Sequence, residues 1–150
     1  RETEERCAEL CPQSPKSVFQ LGGGGVVGPG SIRGMPILAE LRAAGFCIWP
    51  FEKPKAGQPT VVEIYPRLFS VKVNKRNRSA REGFLGELES LKDPCARLSA
   101  SQGEDQFDAL VSALSMRRSV RDFESLRGPR GADIAEGRIW MPTSIVTATL

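Results

Sequence analysis

Three acidic residues stand where carboxylates could do chemistry. Glu63 lies in "TVVEIYP" between Val62 and Ile64, and Asp105 and Asp108 lie in "EDQFDAL". An isolated carboxylate inside an apolar strand must find a partner or a metal, because burying it unpaired is costly. Asp105 and Asp108, three apart on a helix, project from nearly the same side. Such a cluster repels itself unless cations intervene. That is the logic of a magnesium or manganese site, whose oxygen ligands hold ions that activate water and stabilise the leaving oxygen of a phosphodiester. The structural reading stands beside it. Acids in a first helical turn suit the dipole, and a strand glutamate often pairs with an arginine from a neighbouring element.

Other chemistry is narrowed by composition. The 150-residue chain has no histidine, which removes Ser-His-Asp and Cys-His catalysis within it and leaves carboxylate, lysine, arginine or metal-ion chemistry. Cys7, Cys11, Cys47 and Cys95 show no C-x-x-C spacing, so a zinc set is not expected, and reduced structural thiols are the ordinary reading. Cys7 and Cys11 would share one side of a helix. The net charge is only +3, but residues 67–81 carry Arg67, Lys72, Lys75, Arg76, Arg78 and Arg81 with no acid. That segment is either a solvated face or a track for a phosphate backbone, with Lys72, Lys75, Arg76 and Arg78 as the contacts. Trp49 and Trp140 lie in apolar runs and read as core rather than as base-stacking platforms.

The stretch "LGGGGVVGPG" raises a nucleotide-binding alternative, since Gly23, Gly25 and Gly28 satisfy G-x-G-x-x-G and Glu52 follows about twenty residues later. A nucleotide-binding oxidoreductase would use this loop. Against it, Pro29 and Gly30 follow Gly28, and the next helix is expected to begin between Ser31 and Pro36. The loop then serves as a connection that lets Phe19 and that helix pack on one sheet.

The elements that must position these residues follow from periodicity and punctuation. A helix is expected over residues 2–11, with Cys7, Ala8, Leu10 and Cys11 on its apolar side and Pro12 ending it. Residues 17–21 read as a short strand or extended lead. Ile37, Leu38 and Leu41 mark a helix with Pro36 in its first turn and Gly45 at its C-terminal cap. Strands are expected over residues 46–51 and 60–66, and a helix over residues 80–91. The clearest helix holds Phe107, Leu110, Val111 and Leu114 on one stripe, with Ser101 and Glu104 as a capping box and Arg117 and Arg118 at its negative end. "GRIWMPTSIV" reads as a terminal strand or strap. With 40% apolar and 26% charged residues, the whole reads as one globular α/β domain spanning residues 1–150. No apolar run is long enough to span a bilayer and no secretory signal pattern opens the chain, so a cytoplasmic, non-membrane protein is expected.

Four segments in order, "SIRGMPILAELRAAGFCIWPF", "VVEIYPRLF", "EDQFDALVSAL" and "EGRIWMP", resemble an uncharacterised prokaryotic domain family predicted to be RNase H-like, RuvC-like nucleases. The resemblance runs from about Arg1 to Pro142, and its most specific pair is the E-x-Y-P strand followed by the D-x-x-D-A helix. It implies a partial RNase H-like fold, a small mixed sheet flanked by helices, and divalent-metal-dependent hydrolysis of nucleic acid. Glu63, Asp105 and Asp108 would be the catalytic metal ligands, and Arg33, in the R-G-M-P turn, a phosphate contact. The strand that carries the first aspartate of such folds has no counterpart here. The chain, which begins at Arg1 without a methionine, therefore resembles the C-terminal part of the family domain. A non-catalytic nucleic-acid or protein binding module is the alternative.

Overall fold

Helix α1 (Glu2–Leu10) stops at Cys11, one residue before Pro12, as the proline requires. The structure is a computed structural model that describes residues 1–143. After α1 come α2 (Gly28–Ala43), β1 (Cys47–Ile48), β2 (Thr60–Val61) and a 3₁₀ helix (Pro66–Phe69). Then follow α3 (Arg78–Glu87), α4 (Pro94–Gln102), α5 (Glu104–Arg118), α6 (Val120–Glu124) and α7 (Asp133–Glu136). The chain is mixed α/β and helix-rich, and it divides into two compact units. One is formed by Arg1–Tyr65 with Arg121–Trp140, and the other by Pro66–Val120 with residues 141–143.

In the first unit, the buried side of α1 is made by Thr3, Glu4 and Cys7, continued by Cys11, rather than by the apolar residues alone. Ala8 and Leu10 face solvent instead. Polar groups can be buried here because each has a partner: the Thr3 hydroxyl accepts from the Ile139 amide at 3.0 Å, and Glu4 meets Arg1. Residues 17–21 form a turn, not a strand, closed by the Gln20 amide on the Ser17 carbonyl at 3.1 Å. Phe19, expected to pack on the sheet, is exposed.

Helix α2 starts at Gly28, earlier than the expected window of Ser31 to Pro36, because Pro29 fits a first-turn position where no N–H is needed. Pro36 consequently sits inside the helix, and Arg33 and Gly34 are helical rather than in a turn. The end of α2 matches expectation. Gly45 has φ +93°, its amide reaches the Arg42 carbonyl and the Phe46 amide reaches the Leu41 carbonyl, the two bonds of a Schellman cap.

The two expected strands are shorter than their apolar runs. β1 ends before Trp49 and Pro50, and β2 ends at Val61, with Pro66 already opening the 3₁₀ helix. They pair in parallel, Cys47 beside Thr60 and Ile48 beside Val61, and an isolated parallel bridge joins Glu63 to Ile139. The expected mixed sheet is thus, among the described residues, a parallel pair with one added bridge. Trp49 and Trp140 are both core, as expected. The Trp49 indole N–H donates to the Arg127 carbonyl at 2.9 Å, and the Trp140 ring stacks on Phe123 with centroids 4.6 Å apart. Of the expected terminal strand, residues 144–146 lie outside the described residues.

In the second unit α3, α4 and α5 pack around Leu85, Leu88, Leu91, Phe107, Val111 and Leu114. The α5 stripe is as expected, Leu110 being half-buried at its edge. The capping box is not. Ser101 belongs to α4, where its hydroxyl donates to the Leu98 carbonyl, and Gly103, with φ −150° and ψ 164°, is the residue that separates α4 from α5. Helix α3 begins at Arg78 with the Asn77 side chain accepting from the Ala80 amide, and it ends at Glu87, short of Leu91.

The cysteines differ in reach. Cys7, Cys11 and Cys47 are buried and Cys95 is exposed. Burial, with the nearby Glu63 charge adding to it, pushes the Cys7 thiol up to about 11, and burial raises Cys47 as well. Maleimide labelling of the native chain followed by mass mapping is expected to modify Cys95 first and the other three only on unfolding.

Candidate functional site

The carboxylates singled out by sequence fall into different units. Glu63 belongs to the first and Asp105 and Asp108 to the second. Each is best described by the groups that hold it.

Glu63 follows β2, and its backbone carbonyl accepts from the Trp140 amide at 2.7 Å. Its carboxylate is gripped by Arg1 in a fork, with Nη1 on Oε2 at 2.8 Å and Nη2 on Oε1 at 2.7 Å. The same guanidinium donates through Nε to Glu4 at 2.8 Å and through Nη1 to the Glu136 carbonyl at 3.1 Å. Only 3% of the Arg1 side chain is exposed, against 38% for Glu63. Burial alone would lower the guanidinium's pKa, but the two carboxylates outweigh it and raise it. The partner that an isolated strand glutamate requires is therefore an arginine.

Glu4 shows the reciprocal effect. Burial pushes its carboxyl upward, yet hydrogen bonds from the Arg1 amine and guanidinium prevail and hold it below the usual glutamate value. A depressed native pKa contributes stability that is present above the unfolded-state value and is lost as pH falls through the native one. Urea midpoints measured from about pH 7 down to about pH 2 should therefore fall less steeply in Glu4→Gln than in the parent.

Asp105 sits in the first turn of α5, where the helix dipole favours it, and Asp108 sits in the next turn. Asp105 is exposed. Asp108 is half-buried, and its Oδ2 accepts from the Lys75 ammonium. Its Oδ1 is buried without a hydrogen-bond partner. These residues do not fit the divalent site that the resemblance implies. Both oxygens of Glu63 are taken by a bidentate guanidinium, and Asp108 already has a cation on it. Among the described residues, no group of three or more His, Cys, Asp or Glu side chains is placed to hold a metal ion.

The basic segment is divided in its work. Arg81 is buried and donates twice to the Ser101 carbonyl, at 2.8 and 3.2 Å, and once to the Lys75 carbonyl. Arg67 donates to the Val73 carbonyl, and Lys75 is committed to Asp108. Arg78 is exposed and pairs with Glu82, while Lys72 and Arg76 are exposed. Half of the apparent phosphate track is thus internal bracing, a division that charge pattern alone does not reveal. Arg33, the other candidate phosphate contact, is an exposed residue in the body of α2.

The glycine loop meets α2 in a way that bears on phosphate. Gly28 opens the helix, as a dinucleotide fingerprint asks, so the late helix start expected from Pro29 is not the obstacle. The obstacle is electrostatic. The Gln20 and Val18 carbonyl oxygens lie 2.5 and 2.7 Å from where a Cβ on Gly28 would stand, which puts partial negative charge beside the helix start. A phosphate cradle needs N–H groups there.

On α2, Ser31, Gly34, Leu38 and Leu41 form the half-buried side. Ile32, Met35, Pro36, Ala39 and Ala43, spaced as one helical stripe, are all exposed. The spacing was readable, but sequence alone does not say which of two apolar sides faces inward. No helix among the described residues is long and apolar enough to cross a membrane. No protein family, curated protein or solved structure matches this chain.

Proposed function

We propose that this chain is a non-catalytic protein-binding module that offers the outer stripe of α2 to the same stripe of a second copy of the chain. The observation that carries the reading is the exposure of that stripe, with Ile32 59% and Met35 55% exposed on one side of a sixteen-residue helix. Helix-in-groove recognition reads anchors at this i, i+3, i+4, i+7 spacing. Contiguous exposed apolar surface marks interaction sites more often than chance. The engagement of Glu63 by Arg1 and of Asp108 by Lys75 supports the same reading, since residues already neutralised from within the chain have little left for a metal ion.

The test pairs the parent with Ile32→Glu/Met35→Glu. Sedimentation velocity over a concentration range should show association of the parent and a monomeric variant with unchanged far-UV circular dichroism. Identical behaviour of the two would count against the proposal. The nuclease reading would be restored by manganese binding in isothermal titration that Asp108→Asn abolishes. Salt-sensitive oligonucleotide binding lost in Lys72→Ala/Arg76→Ala would instead point to a nucleic-acid module.

A further inference from the structure

Among the described residues, the second unit contains three buried side-chain oxygens without hydrogen-bond partners: Asp108 Oδ1, Ser112 Oγ and Ser70 Oγ. Ser70 and Ser112 are 2% and 3% exposed. Asp108 and Ser112 are four apart on α5, so their side chains lie one above the other on a flank of the helix beside the Phe107, Val111 and Leu114 stripe. Ser70 follows the 3₁₀ helix, which packs on α5. It is bracketed by Phe69 and Val73, both packed into the core to which α5 contributes. Ser70 is also tied to the Asp108 partner through a tight turn. The Val73 amide reaches the Ser70 carbonyl and the Lys75 amide the Val73 carbonyl, each at 3.0 Å, and Lys75 then reaches Asp108.

Leaving a buried acceptor or hydroxyl unpaired is costly, so three in one small unit call for a common remedy. We infer that Asp108, Ser112 and Ser70 together hold an ordered internal water between α5 and the 3₁₀ helix. Water accepts from both serine hydroxyls and donates one hydrogen to Asp108 Oδ1, giving the three bonds usual for a buried water. A neutral ligand fits because Lys75 already balances the Asp108 charge. The site would fasten the turn that carries Lys75 to α5 without a direct side-chain bond from Ser70.

Oxygen-17 magnetic relaxation dispersion of the full chain counts long-lived internal waters, and the difference between parent and variant isolates this one. Ser70→Ala/Ser112→Ala is expected to lose one water's share of the dispersion amplitude. Asp108→Asn, which keeps an acceptor oxygen and weakens the Lys75 contact, is expected to retain it. Equal amplitude in the parent and the double alanine variant would overturn the inference. So would an amplitude that falls on addition of potassium chloride, which would identify a cation as the occupant. Should the double variant not fold, the single Ser112→Ala variant gives the same comparison, with a shortened residence time expected and an unchanged one overturning.

Discussion

Phe107→Ala is expected to lower the unfolding free energy by about 3–5 kcal/mol, the range for deleting a fully buried aromatic side chain. Phe107 has no exposed surface, sits at the centre of the second unit's core and meets the Phe84 ring edge-on with centroids 5.6 Å apart. The lost contacts include the Phe84 ring of α3, in a core to which α3, α4 and α5 all contribute. Urea denaturation followed by circular dichroism reads the effect as a lower midpoint. Leu110→Ala, at the half-buried edge of the same stripe, should cost clearly less. Equal losses for the two would mean that α5 is not oriented as described.

Arg81→Ala is expected to cost about 2–4 kcal/mol, since removing the guanidinium orphans the buried Ser101 carbonyl and the part-buried Lys75 carbonyl, and a fully buried loss is worth about 1–3 kcal/mol. The comparison that gives this meaning is Arg76→Ala, five residues away in the same basic run. Arg76 is exposed, and surface changes of this kind usually stay within about 0.5 kcal/mol. A urea midpoint that drops for Arg81→Ala and holds for Arg76→Ala would separate bracing cations from solvated ones. Similar midpoints would refute the buried role of Arg81.

That contrast also shows where the sequence was legible. Helix α5 could be read because its stripe repeats at helical spacing, and the α2 terminus because Gly45 supplies the left-handed residue that a Schellman cap needs. The capping box at Ser101 could not be judged, because a serine three residues before a glutamate looks the same whether the chain is entering a helix or leaving one. Gly103 decided it through an extended backbone conformation that any residue can adopt, so the letter alone gave no notice of it. Strand lengths failed for a related reason: apolar runs record burial, and residues 46–51 are mostly buried while only two of them pair. At the candidate site, Glu63's need for a partner was readable, but its identity was not, since Arg1 is 62 positions away. Ser70 and Ser112 gave no signal at all, because burial of a serine depends on what packs over it.

The contacts that close the first unit have a consequence for the order of events in folding. Thr3 meets Ile139 across a separation of 136 residues, and Arg1 meets the Glu136 carbonyl across 135. The second unit's described core, in contrast, is drawn from one continuous stretch, Val73 to Leu114. Closing a long loop costs chain entropy before any contact repays it, and high contact order slows folding. On a ribosome, the second unit therefore has its described core residues available while the first still waits for Arg121–Trp140, so the unit whose described core lies between the other's two segments is the one equipped to fold first.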